Sequence, residues 1–142
     1  MQRVLETAEV VESKRVFVVD GSDEAPAAIE RMLCDTYEAH KLESATGALK
    51  KVKQVQPDLL VLAEGVIRTN GVDLIQEFLA RIPEAKILVI VDQISSGFGQ
   101  HCVAAGAHGF LAMPMQAERL RDKVSALLRA KTYDRQRARR RR

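Results

Sequence analysis

Three apolar runs in this sequence end where an α/β protein usually does its chemistry. RVFVVD closes on the carboxylate of Asp20, ILVIVDQ reaches Asp92 directly after Val91, and PDLLVLAEG closes on the methyl group of Ala63, with Glu64 next. Two carboxylates side by side could hold Mg²⁺, an ion that demands octahedral oxygen ligation and is often shared with a phosphate. Here Gly21 stands beside Asp20, and one carboxylate without a partner is a poor Mg²⁺ site. Asp23 lies further round the loop, where it serves at least as well as a helix N-cap. His101 and Cys102 are adjacent and therefore point apart on a helix, which argues against a chelate. The sequence has no glycine-rich phosphate loop and no nucleophile with a base in reach by spacing. Neither a catalyst nor a metal or cofactor is expected.

A different chemistry sits at the carboxyl end. KTYDRQRARRRR, Lys131 to Arg142, carries a net +6, against −3 for the first 130 residues. Arg135, Arg137, Arg139, Arg140, Arg141 and Arg142 fall within its last eight residues. Such a segment suits a polyanion or an acidic partner. With no aromatic interleaving beyond Tyr133, contact with nucleic acid would be non-specific and would weaken steeply with salt.

The strand-end residues require elements to deliver them. Strands are expected at Arg15–Asp20, Ala39–Glu43, Leu59–Ala63, Ile87–Val91 and Gly109–Ala112, the central ones apolar throughout and so buried on both faces. A first helix is expected after Ser22 or Asp23, with Ala28, Ile29, Met32 and Leu33 facing inward. Further helices are expected at Thr46–Val55, Gly71–Arg81, Ser95–Ala105 and Gln116–Ala130. The fourth, interrupted by Gly97 and Gly99 at a cost of ~1 kcal/mol each against alanine, should be the loosest. Five strands alternating with five helices imply a three-layer, doubly wound parallel sheet with right-handed crossovers. In that architecture ligands bind at the carboxyl ends of the strands, here Asp20, Ala63, Val91 with Asp92, and Met113 with Pro114.

The 142 residues suit one domain: residues 1–14 as a marginal extension, 15–130 as the folded body and 131–142 as the basic tail. A hydrophobic fraction of 46% with 29% charged residues is ordinary for a soluble protein, and no apolar run approaches the ~18 to 20 residues of a membrane span. The amino terminus lacks the apolar stretch of a signal peptide, which points to the cytoplasm. Cys34 and Cys102 lie in apolar helical patterns and read as small buried hydrophobes.

With these stretches in register, the chain from about Arg15 to Ala130 resembles the CheY-like receiver domain of bacterial response regulators, flavodoxin-like in fold. RVFVVDGSDE, PDLLVLAEGVIRTNGVDLI, ILVIVDQ and AAGAHGFLAMPM carry the resemblance. It implies a sheet in the order 2-1-3-4-5. A receiver takes a phosphoryl group on an aspartate at the end of its third strand, with Mg²⁺ holding the phosphoryl oxygens. The matching position here is Ala63. The metal-binding acidic pair is reduced to Asp20 and Gly21, the hydroxyl of the fourth strand to Val91, and the lysine before Pro114 to Met113. Alanine, valine and methionine are expected to plug the site, since a phosphoryl without metal or lysine would be left uncompensated. Alternation along a strand would turn Glu64 away from that pocket. Phe110, at the position of the switching aromatic, has no hydroxyl and is expected to face Val91.

The resemblance therefore implies a pseudo-receiver in a two-component-type signalling pathway that cannot be phosphorylated and works by binding a protein, a second copy of itself included. The face around Phe98, His101, His108 and Phe110 is the candidate surface. The alternative makes the basic tail an anchor to nucleic acid, an anionic membrane or an acidic protein.

Overall fold

The computed structural model of the chain describes residues 14–20, 25–34, 36–93, 96–113 and 116–141, with the side chains of 25–28 and 130–141 excepted. The strands are β1 (Arg15–Val19), β2 (Glu38–Leu42), β3 (Leu59–Ala63), β4 (Lys86–Val91) and β5 (Gly109–Ala112). All pair in parallel in the order β2-β1-β3-β4-β5. The helices are α1 (Ala25–Leu33), α2 (Ala45–Gln54), α3 (Glu64–Asn70), α4 (Asp73–Arg81), α5 (Phe98–Ala104) and α6 (Ala117–Arg141).

Alternation along the strands divides the apolar side chains between two cores. Phe17, Val19, Leu60, Leu62, Val89 and Val91 face α2, α3, α4 and α5, and pack on Ala48, Ile67, Ile75, Phe78 and Cys102. Val16, Val18, Leu59, Val61, Leu88 and Ile90 face α1 and α6, and pack on Ile29, Leu33, Leu120, Val124 and Leu128. The edge strand β2 alternates less cleanly and carries charges that discourage further pairing: Glu38 accepts from Arg15 Nε at 3.0 Å and contacts His40 Nε2 at 2.7 Å. Ser44 caps α2, its Oγ accepting from the Gly47 N–H at 3.0 Å.

The expected parallel sheet and its order are found, but among the described residues six helices stand where five were expected. The added one is α3. No element is expected between Ala63 and Gly71, yet EGVIRTN has no proline and places Gly65 only in the first turn, and Val66 and Ile67 supply an inward apolar pair. The chain turns only at Gly71, where φ is 90°, a value glycine adopts without a Cβ penalty. The next helix consequently begins at Asp73 and not at Gly71. α5 is shorter than expected, opening at Phe98 after Gly97 with φ 79°. Cys34 is exposed, contrary to the buried reading, because α1 ends at Leu33; Cys102 is buried. α6 continues unbroken to Arg141, through the expected boundary at residue 130. Residues 1–13, Gly21, Asp23 and Pro114 lie outside the described residues.

Candidate functional site

The carboxyl ends of β1, β3 and β4 bring Asp20, Ala63 and Val91 to one end of the sheet. Asp20 follows β1, is 8% exposed, and donates its backbone N–H to the Leu42 carbonyl at 3.1 Å. Ala63 closes β3, half-buried in extended backbone, and no side-chain cap covers the first turn of α3 behind it. Val91 is fully buried. Met113 does not join them in a plug: it is 38% exposed. It follows β5, which ends at Ala112, and its backbone N–H is tied to the Val91 carbonyl at 2.9 Å. Nor is the end of the sheet closed. A cleft of 560 Å³ opens beside Asp20, walled by Glu43, Ser44, Thr46, Thr69 and Asn70. Its described lining contains no lysine or arginine, so no counter-charge for a phosphate is present there.

Glu64 is not part of that cleft's described lining, but alternation does not set its direction: the strand stops at Ala63 and Glu64 is the first residue of a helix, where side chains advance by about 100°. Its side chain is buried and points across the sheet end. Oε1 accepts a hydrogen bond from the Asp92 backbone N–H at 2.8 Å, and Oε2 accepts from Arg68 Nε at 2.6 Å. Burial raises the pKa of this carboxyl, but the Asp92 N–H and then Arg68 outweigh it and hold the group below its ordinary range. The sequence signal for this contact was the i,i+4 spacing of Glu64 and Arg68. Arg68 in turn lays its guanidinium 4.3 Å from the centre of the Phe98 ring, the first residue of α5. Asp92 itself is exposed, and its backbone is the part that works.

Of the expected interaction face, Phe98 and His101 lie together on α5, their rings 6.4 Å apart. His101 is exposed while Cys102 beside it is buried. Burial, and then the nearby Glu64 charge, pushes the Cys102 thiol up, which keeps it protonated and unreactive. Phe110 pairs with Val89 in the ladder, and its ring lies beneath Gly99, where a Cβ would overlap it. It therefore packs on α5 as well as in the core that holds Val91. His108 precedes β5, at the opposite end of the strands, and its Nδ1 accepts from the Ile87 N–H at 2.9 Å. The structure thus brings Phe98, His101 and Phe110 together and sets His108 apart. Val103, 42% exposed, adds an apolar group to the outer surface of α5. Among the described residues, no helix is long and apolar enough to cross a membrane. No group of three or more His, Cys, Asp or Glu side chains among them is arranged to hold a metal.

Comparison with known proteins agrees with this geometry. The family model of the response regulator receiver domain matches residues 16–125. The chemotaxis protein CheY of Thermotoga maritima is 30% identical over 113 residues, covering 75% of this chain and 91% of that protein. The transcriptional regulatory protein DegU of Brevibacillus brevis is 25% identical over 64% of this chain, and the match spans only 39% of DegU. Among solved structures, a CheY-like receiver domain protein of Methanospirillum hungatei superposes with a TM-score of 0.76 at 19% identity, covering 86% of this chain and 98% of that one. The NtrC4 receiver domain, solved as a beryllofluoride-activated dimer, gives 0.74 at 23% identity, covering 82% and 98%.

Proposed function

The chain belongs to the response regulator receiver domain family of two-component signalling, and on that premise we propose that it is a pseudo-receiver that takes no phosphoryl group and acts by binding a protein. The observation that carries this reading is Ala63: the last position of β3 bears a methyl group, and the carboxylate that follows it is already held by Asp92 and Arg68. Receivers are regulatory domains, and in this reading the chain acts as a binding module. The face presented is that of α5 and β5, with Phe98, His101, Val103 and Phe110, and its occupant is a signalling protein or a second copy of the chain. A bacterial cytoplasm, the setting of two-component signalling, is the expected location. The test adds beryllofluoride with Mg²⁺ to the full chain and follows thermal stability and amide spectra. No change is expected, and a clear stabilisation or a set of shifted resonances at Asp20, Ala63 and Val91 would overturn the reading.

A second reading rests on α6, which runs as one helix into the +6 segment. Arg135, Arg137, Arg139, Arg140, Arg141 and Arg142 would add electrostatic anchoring, worth about 1 kcal/mol each near an anionic surface. Pull-down with and without Lys131–Arg142 separates the two readings: partners retained favour the folded face, partners lost favour the tail.

A further inference from the structure

β3 and β4 are joined along their length by the ladder, but the ladder stops at the pair Ala63 and Ile90. Beyond it the two chains part, β3 turning into α3 at Glu64 while β4 continues one residue beside β5, Val91 pairing with Ala112, and then runs towards α5. One side chain ties the two exits together. The Glu64 carboxylate takes the Asp92 N–H with Oε1 and Arg68 Nε with Oε2, and Arg68 reaches on to the Phe98 ring. α5 has only seven residues and is held by contacts at both ends: Ser96 Oγ accepts from the Phe98 N–H at 3.2 Å, Gln76 Nε2 donates to the Ala105 carbonyl at 2.7 Å, and Gly99 packs directly on Phe110. A helix this short is not stable by itself and holds its place through tertiary contacts.

We propose that Glu64 and Arg68 form a resident latch that fixes α5 against the sheet, so that the α5 face is presented in one arrangement without any ligand arriving at the strand ends. This inference rests on the proposed binding role of that face. It accounts for a charged residue buried at the sheet end: an internal anion, supplied by the chain, bridges the strand exits permanently. The connection is made of two hydrogen bonds and one cation–ring contact, each of which can be cut separately.

The test is amide hydrogen exchange on the full chain, read at Asp92 and at His101 to Ala105, with β1 and β3 as internal controls. In Glu64→Ala, exchange at Asp92 and in α5 should rise tenfold or more relative to the controls. Arg68→Met keeps an apolar chain on Phe98 but removes the charge, so α5 should loosen while Asp92 stays protected. Glu64→Gln retains an oxygen acceptor for Asp92 and loses the ion pair, and should behave like Arg68→Met. These two milder variants decide the matter if Glu64→Ala does not fold. The latch is overturned if exchange in α5 rises over the natural chain by no more than exchange in β1 and β3 does, in both Arg68→Met and Glu64→Gln. Since neither a phosphoryl donor nor a partner enters the measurement, that failure would leave the proposed function standing, and a beryllofluoride response would leave the latch standing.

Discussion

Glu64 Oε1 lies 2.8 Å from the Asp92 backbone nitrogen, a hydrogen bond between residues 28 apart in sequence that joins the exit of β3 to the exit of β4. With Arg68 Nε on the other oxygen at 2.6 Å, both oxygens of a buried carboxylate are occupied. An ionised carboxylate accepts two such bonds better than a neutral one, which fixes the direction of its pH dependence.

The folded-state pKa of Glu64 is lowered from an ordinary 4.5, the hydrogen bonds overcoming burial. A group depressed on folding contributes stability above its unfolded pKa and loses it as pH falls through the folded value. Acid titration of thermal stability should therefore fall more steeply below about pH 5 in the natural chain than in Glu64→Gln. Parallel curves for the two proteins would contradict this.

Restoring the nucleophile alone should not restore phosphoryl chemistry. Ala63→Asp supplies a carboxylate, but Val91 offers no hydroxyl, Met113 no charge, and Glu64 adds an anion next in sequence. The variant is expected to lose about 1 to 3 kcal/mol. It should show no rise in melting temperature with beryllofluoride and Mg²⁺; scanning calorimetry with and without the mimic checks both.

Gly99→Ala sets two effects against each other. Alanine gains up to about 1 kcal/mol in helix propensity, while its methyl would overlap the Phe110 ring and force repacking that costs about 1 to 3 kcal/mol. The overlap should win, with a net loss near 1 kcal/mol. In a Phe110→Ala background, where Cγ and the ring are both gone, the same substitution should be neutral or stabilising relative to Phe110→Ala alone. Chemical denaturation of the four proteins gives the coupling directly.

Truncation before Lys131 should leave the folded body intact, because the inward residues of α6, Leu120, Val124 and Leu128, all precede the cut. Stability is expected to stay within about 0.5 kcal/mol. Binding of the natural chain to duplex DNA, where present, should weaken with salt at a slope of about −0.9 per phosphate contacted, and should vanish on truncation. A retardation series at rising ionic strength reads both.

Much of this protein was legible in order along the chain. Continuous runs such as LLVLA and ILVIV could only be strands covered on both faces, and their alternation with helical periods fixes a parallel sheet between two helical layers. Local composition also located Ala63, Val91 and Asp20 at one end of that sheet, since a strand's last residue is a matter of sequence. What composition left open was direction. Whether Glu64 turned inward depended on where β3 stopped and α3 began, a boundary of one residue that converts a strand's alternation into a helix's rotation. Whether Met113 filled the site depended on how the chain left β5, and its side chain lies in the open. The hydrogen bond from Asp92, the Arg68 contact with Phe98 and the overlap of Gly99 with Phe110 join segments distant in sequence. No local propensity encodes such contacts, and only the packing of α3 and α5 on the same face of the sheet decided them.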